Sequence, residues 1–95
     1  MNFKAIKALL NSDKLVGVDF KQERSWKTHF FMFEDNTVLT IAINNNFLNG
    51  KIYISYGDYK DERNSNFAKW ILQSMIKEAF NKFFDKIVEK HKNNG

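Results

Sequence analysis

Ninety-five residues without cysteine or proline, at a net charge of +4, are enough for one domain over residues 1–95 and too few for two. The missing cysteine excludes disulfides, thiolate catalysis and Cys-ligated zinc, and points to a reducing cytoplasm. No apolar run reaches the roughly 20 residues that cross a bilayer. The opening MNFKAIKALLNSDK is too short and too evenly lysine-spaced for a signal peptide, so no membrane partner is expected. Ten Phe, two Trp and three Tyr supply the large buried areas with which a small domain offsets its conformational entropy.

Asn2 to Asn11 has the spacing of a short helix, with Phe3, Ile6, Leu9 and Leu10 on one side and Asn2 as N-cap. Four strand-like runs follow: Leu15–Gln22, Trp26–Glu34, Thr37–Ile43 and Lys51–Gly57. Asp35-Asn36 and Asn49-Gly50 read as tight hairpin turns, and short connections favour an antiparallel meander in sequence order. With Asp35 and Asn36 as a two-residue loop, Met32 falls opposite Leu39 and Phe30 opposite Ile41. Thr28, Ile43, Ile52, Ile54 and Tyr56 then join them on the core face. Phe31, Phe33, Val38, Thr40, Ala42 and Tyr53 fall on the other face, which is expected to be partly open.

Asn64-Ser65-Asn66 offers candidate N-caps for a long C-terminal helix, preceded by Asp58, Asp61 and Glu62, whose charge complements the helix dipole. To Lys92 this helix would span roughly 40 Å, against roughly 23 Å for a seven-residue strand, so one end should overhang the sheet. Its apolar residues form two rows, Phe67, Ile71, Met75, Ala79, Phe83, Ile87 and Ala68, Leu72, Ile76, Phe80, Phe84, Val88. Both rows step by four residues. Each such step drifts the stripe by about 40° around the helix, and five steps by about 200°. One flat sheet cannot receive both ends of that stripe. The helix must bend near Asn81, or its second half must face something other than its own sheet.

Catalytic chemistry finds little purchase. His29 reads as a surface strand residue and His91 as part of a frayed helix end, and neither phosphate-loop nor nucleophile-elbow patterns occur. Asp58, Asp61 and Glu62 could be imagined on a metal, but dipole compensation explains them more cheaply. No catalytic residue, metal or cofactor is therefore expected. Residues 1–14 and 63–95 are net basic and residues 15–62 net acidic.

The expectation is an α+β fold: an N-terminal helix, a four-stranded antiparallel meander and a long C-terminal amphipathic helix, with both helices on one sheet face. For function it is a small non-enzymatic binding protein with a protein partner, contacting through Phe31, Phe33, Tyr53, Phe83, Phe84, Ile87 and Val88. A homodimer through the C-terminal helix is one form of that contact. By analogy of size and composition, a phage- or mobile-element-encoded inhibitor or accessory factor fits, for example of a host nuclease or CRISPR effector. The alternative is a dimeric nucleic-acid-binding protein using Lys69, Lys77, Lys82, Lys86 and Lys90, although arginine is scarce and Glu78, Asp85 and Glu89 interrupt that face.

Overall fold

A computed structural model describes residues 2–44, 50–64 and 66–93, with the side chains of residues 63–69 and 93 outside that description. The chain runs α1 (Phe3–Leu10), β1 (Leu15–Glu23), β2 (Trp26–Phe33), β3 (Val38–Asn44), β4 (Lys51–Tyr56), β5 (Tyr59–Asn64) and α2 (Asn66–Asn93). All five strands pair antiparallel in sequence order. The architecture is the expected α+β arrangement with one more strand. Asn2 caps α1 by accepting the Ala5 N–H at 2.9 Å, which satisfies one of the donors left free at a helix start. Of the candidate caps, Ser65 and the side chains of Asn64 and Asn66 lie outside the described residues, as does Asn49 of the expected turn.

The extra strand arises at Gly57. Its φ of +58° is a conformation open to glycine without penalty. A two-residue turn results, with Tyr56 opposite Tyr59, and the chain folds back instead of continuing to the helix as a loop. Lys60, Asp61 and Glu62 therefore sit on an edge strand, where charge discourages pairing with other chains. The acidic cluster expected near the start of α2 does not form as one group. Asp61 lies opposite Ile54 and Glu62 opposite Tyr53, so the two neighbours face opposite sides of the sheet.

The β2–β3 hairpin departs from expectation by one residue. Phe33 N–H donates to the Thr37 carbonyl and Asn36 N–H to the Phe33 carbonyl, each at 3.0 Å, closing a three-residue loop over Glu34, Asp35 and Asn36. Asn36 takes the left-handed conformation at φ 66°, the arrangement of a type I turn followed by a bulge. The Asp35 carboxylate fixes it, accepting from Thr37 N–H at 3.1 Å and Thr37 Oγ1 at 2.5 Å. Those bonds, the side-chain one foremost, hold the Asp35 carboxyl below its ordinary range. Phe31 now pairs with Leu39 and Phe30 with Thr40. A one-residue slip exchanges the two faces of a strand. Phe31 and Phe33, expected on the open face, are instead core residues at 0% and 4% exposure, whereas Phe30 and Met32 take the open side.

The assignment of β3 and β4 stands. Leu39, Ile41, Ile43, Ile52 and Ile54 line the core with Phe31 and Phe33. Ile6 and Leu10 of α1 and Leu72, Ile76 and Ala79 of α2 close it from one side. In β1 a bulge between Leu15 and Gly17 lets both Leu15 and Val18 reach the core and turns Val16 outward. Both helices thus cover one sheet face and leave the other uncovered.

The register makes a direct prediction. Phe31→Ala should destabilise the fold by about 3–5 kcal/mol, the usual cost of emptying a buried aromatic site. Phe30→Ala on the open face should cost less than about 1 kcal/mol. Urea unfolding of the two variants measures the difference; equal losses would contradict the three-residue loop.

Candidate functional site

The helix α2 is unbroken from Asn66 to Asn93, about 42 Å at the standard rise, in a molecule of 50 × 25 × 21 Å. It resolves the four-residue drift by leaving its second half uncovered. Leu72, Ile76 and Ala79 are buried, Phe80 and Phe83 are half-buried, and Phe84, Ile87 and Val88 are 55%, 38% and 55% exposed. The open stripe is continuous with the core through aromatic contacts. Phe31 meets Phe80 edge-on at 6.5 Å, Phe80 stacks on Phe84 at 6.2 Å, and Phe84 lies 6.0 Å from Phe83. Offset and edge contacts of this kind hold rings in defined positions, so Phe84 is presented rather than loose.

The lysines of α2 divide between two settings. Lys82 Nζ donates to the Asn11 carbonyl at the end of α1, and Lys82 and Lys86 approach the Asp13 carboxylate at 4.0 and 3.7 Å. A cation at the negative end of a helix is favourable, and these two side chains tie α2 to α1. They are not a free phosphate-binding row. Lys77 and Lys90 are exposed, and the side chain of Lys69 is outside the described set. The basic face read from the sequence is therefore interrupted by lysines with structural partners as well as by carboxylates.

The uncovered sheet face carries the second surface. Trp26, Phe30 and Tyr53 wall an open cup of about 580 Å³ whose floor is Thr28 and the 7% exposed Ala42. Thr28, Ala42 and Tyr53 lie side by side on β2, β3 and β4. Trp26 and Phe30 flank Thr28 along β2, two residues away in each direction, hence on the same face. Small residues at the centre and aromatics around them make the surface concave. Two carboxylates at its rim are paired with lysines, Glu23 with Lys21 at 3.4 Å and Glu62 with Lys51 at 3.2 Å. Of these residues only Tyr53 was legible as a site residue. Trp26 and Phe30 were hidden by the register slip, and the signal that could have found them is Asp35-Asn36-Thr37, whose side-chain bonds lengthen the turn.

His29 also moves faces. It packs under α2 among Phe20 at 4.9 Å, Phe80 at 5.3 Å and Phe31 at 6.2 Å, with Nδ1 buried and without a hydrogen-bond partner among the described residues. Burial first, and the Lys27 ammonium second, hold the imidazole below its ordinary value of 6.5. The neutral ring suits its aromatic surroundings because charging it there would cost desolvation.

Comparison of the chain with protein-family models, curated proteins and solved structures found no match. No helix among the described residues is long and apolar enough to cross a membrane.

The His29 environment predicts a pH dependence. Below its ordinary 6.5 the unfolded imidazole binds a proton that the folded one refuses, so the unfolded state gains. This contribution to stability is complete above that value and is lost as pH falls toward the folded pKa. NMR titration should place His29 below 6.5, and His29→Phe should reduce the fall in urea midpoint across that interval.

Proposed function

We propose that this chain acts by protein–protein contact and not by catalysis, with the second half of α2 as its docking face. The observation that carries this reading is the presented stripe of Phe84, Ile87 and Val88, contiguous with the core and unoccupied by the chain's own sheet. An exposed apolar stripe on a rigid helix costs free energy when wet, and burial in a partner recovers about 25 cal/mol per Å². The mode is an amphipathic helix laid into a groove, read by residues spaced three and four apart. With Lys82 and Lys86 held at Asn11 and Asp13, Lys90 and Lys92 balance Asp85 and Glu89 along this segment, so the fitting partner is a protein with an apolar groove. A small inhibitor or accessory factor works in this way, occluding or bridging a larger protein through one compact surface.

Phe84→Glu tests it. The substitution should leave the circular dichroism spectrum intact and cost about 1–2 kcal/mol of stability, the loss of ring contacts at a half-exposed position. A partner captured by the parent protein and identified by mass spectrometry should bind the variant at least about 30-fold more weakly, the loss typical of a central aromatic anchor. Light scattering decides whether that partner is a second copy. Unchanged partner binding and unchanged oligomeric state in Phe84→Glu would remove the docking face.

A further inference from the structure

The cup on the uncovered sheet face lies opposite α2, so it stands apart from the docking stripe. Two hairpins of this sheet share one geometry. Each has a two-residue loop with positive φ at its first position only: Gly57 at +58° before β5, and Arg24 at +56° between β1 and β2. That pattern normally takes glycine at its first position, because a Cβ there crowds the backbone. The chain uses glycine in one hairpin and tolerates strain in the other to place an arginine. Strain of this kind marks positions where the side chain is wanted.

Arg24 lies at the cup beside Trp26, and among the described residues its side chain has no ion-pair or hydrogen-bond partner. Both neighbouring carboxylates already face a lysine. Among the described residues lining the cup, the charge left without an opposite partner is the Arg24 guanidinium. The three aromatic rings make no ring contact with one another, which leaves their faces available for a flat ligand. A volume of about 580 Å³ falls within the range of small-molecule sites.

We infer that the cup binds a small molecule made of a planar heteroaromatic ring and one anionic group, the chemistry of a nucleoside monophosphate. The ring stacks on the Trp26, Phe30 and Tyr53 walls. Arg24 takes the phosphate through its planar fork, which matches two phosphate oxygens at once. The Thr28 and Tyr53 hydroxyls and the Glu62 carboxylate are hydrogen-bonding groups for the edge of the ring. A nucleic-acid strand fits less well, because tracking successive phosphates needs a row of free cations and, among the described residues lining the cup, Arg24 alone has no carboxylate partner.

The test uses the full chain with Trp70→Phe, an exchange at a 66% exposed position that leaves Trp26 as the single indole. Adenosine monophosphate should quench its fluorescence saturably, with adenosine and inorganic phosphate each at least about tenfold weaker, since neither carries both halves of the ligand. Arg24→Gly should weaken the nucleotide at least about tenfold, as expected for loss of a charge-assisted contact. The same variant should raise the melting temperature by about 4–8 °C, because it relieves the turn. Binding lost while stability rises separates a ligand-holding arginine from a structural one. The inference is overturned by absence of saturable quenching at millimolar nucleotide, or by undiminished affinity in Arg24→Gly. It is equally overturned if a thymidine dodecamer binds more tightly than the monophosphate with steep salt dependence.

Discussion

The three-residue loop that Asp35 closes between β2 and β3 governs the organisation of this molecule. Its carboxylate takes both donors of Thr37, Asn36 accepts the left-handed backbone, and the Tyr56 hydroxyl reaches Thr37 Oγ1 at 3.3 Å to anchor the turn to β4. An odd loop length selects which side of β2 faces the helices. Phe31, Phe33 and His29 are thereby committed to the interior, and Trp26, Phe30 and Met32 to the outside. The aromatic core and the aromatic cup are two consequences of one turn. Sheets tolerate no intermediate solution, since a slip of one residue moves the whole side-chain set.

The second constraint is the four-residue repeat of α2. An α-helix turns 3.6 residues per revolution, so a repeat of four leaves the face it began on. The consequence is visible in burial, which is complete at Leu72, Ile76 and Ala79 and fades through Phe80 and Phe83 to Phe84 and Val88. The helix neither breaks nor abandons its apolar residues singly to solvent. Phe80 and Phe84 continue the ring contacts of the core outward, while Lys82 and Lys86 clamp the flank of the same turns to the end of α1. A stripe held by packing on one side and by ion pairs on the other is pre-organised, which lowers the ordering cost of any association through it.

The two uncovered surfaces differ in chemistry as well as place. The α2 stripe is convex, aliphatic and aromatic, with lysines along its side, the shape that the proposed docking into a partner's groove requires. The cup is concave, walled by rings over small residues, with two carboxylates paired to lysines and the Arg24 guanidinium without a partner among the described residues. Concavity favours a small ligand because it surrounds more of the ligand's surface per residue supplied.

Local sequence pattern specified the two helices and the first four strands, the cap at Asn2, the placing of Leu39, Ile41 and Ile43 with Ile52 and Ile54 on one face, and the drift of the α2 stripe. These rest on periodicity and on bonds between near neighbours, both of which are written in the order of residues. It misplaced the face of β2, because Asp35-Asn36 serves a two-residue and a three-residue turn alike and the Thr37 bonds to the Asp35 carboxylate, backed by the Tyr56 hydroxyl, select the longer one. It also hid β5, where Gly57 reverses a charged segment that carries no apolar alternation. Contacts distant in sequence make Phe31 and Phe33 core, gather Trp26, Phe30 and Tyr53 into a cup with Arg24, and bring Lys82 and Lys86 to the end of α1. Each of these joins residues from different strands or helices, and local spacing holds no record of which neighbours a fold will bring together.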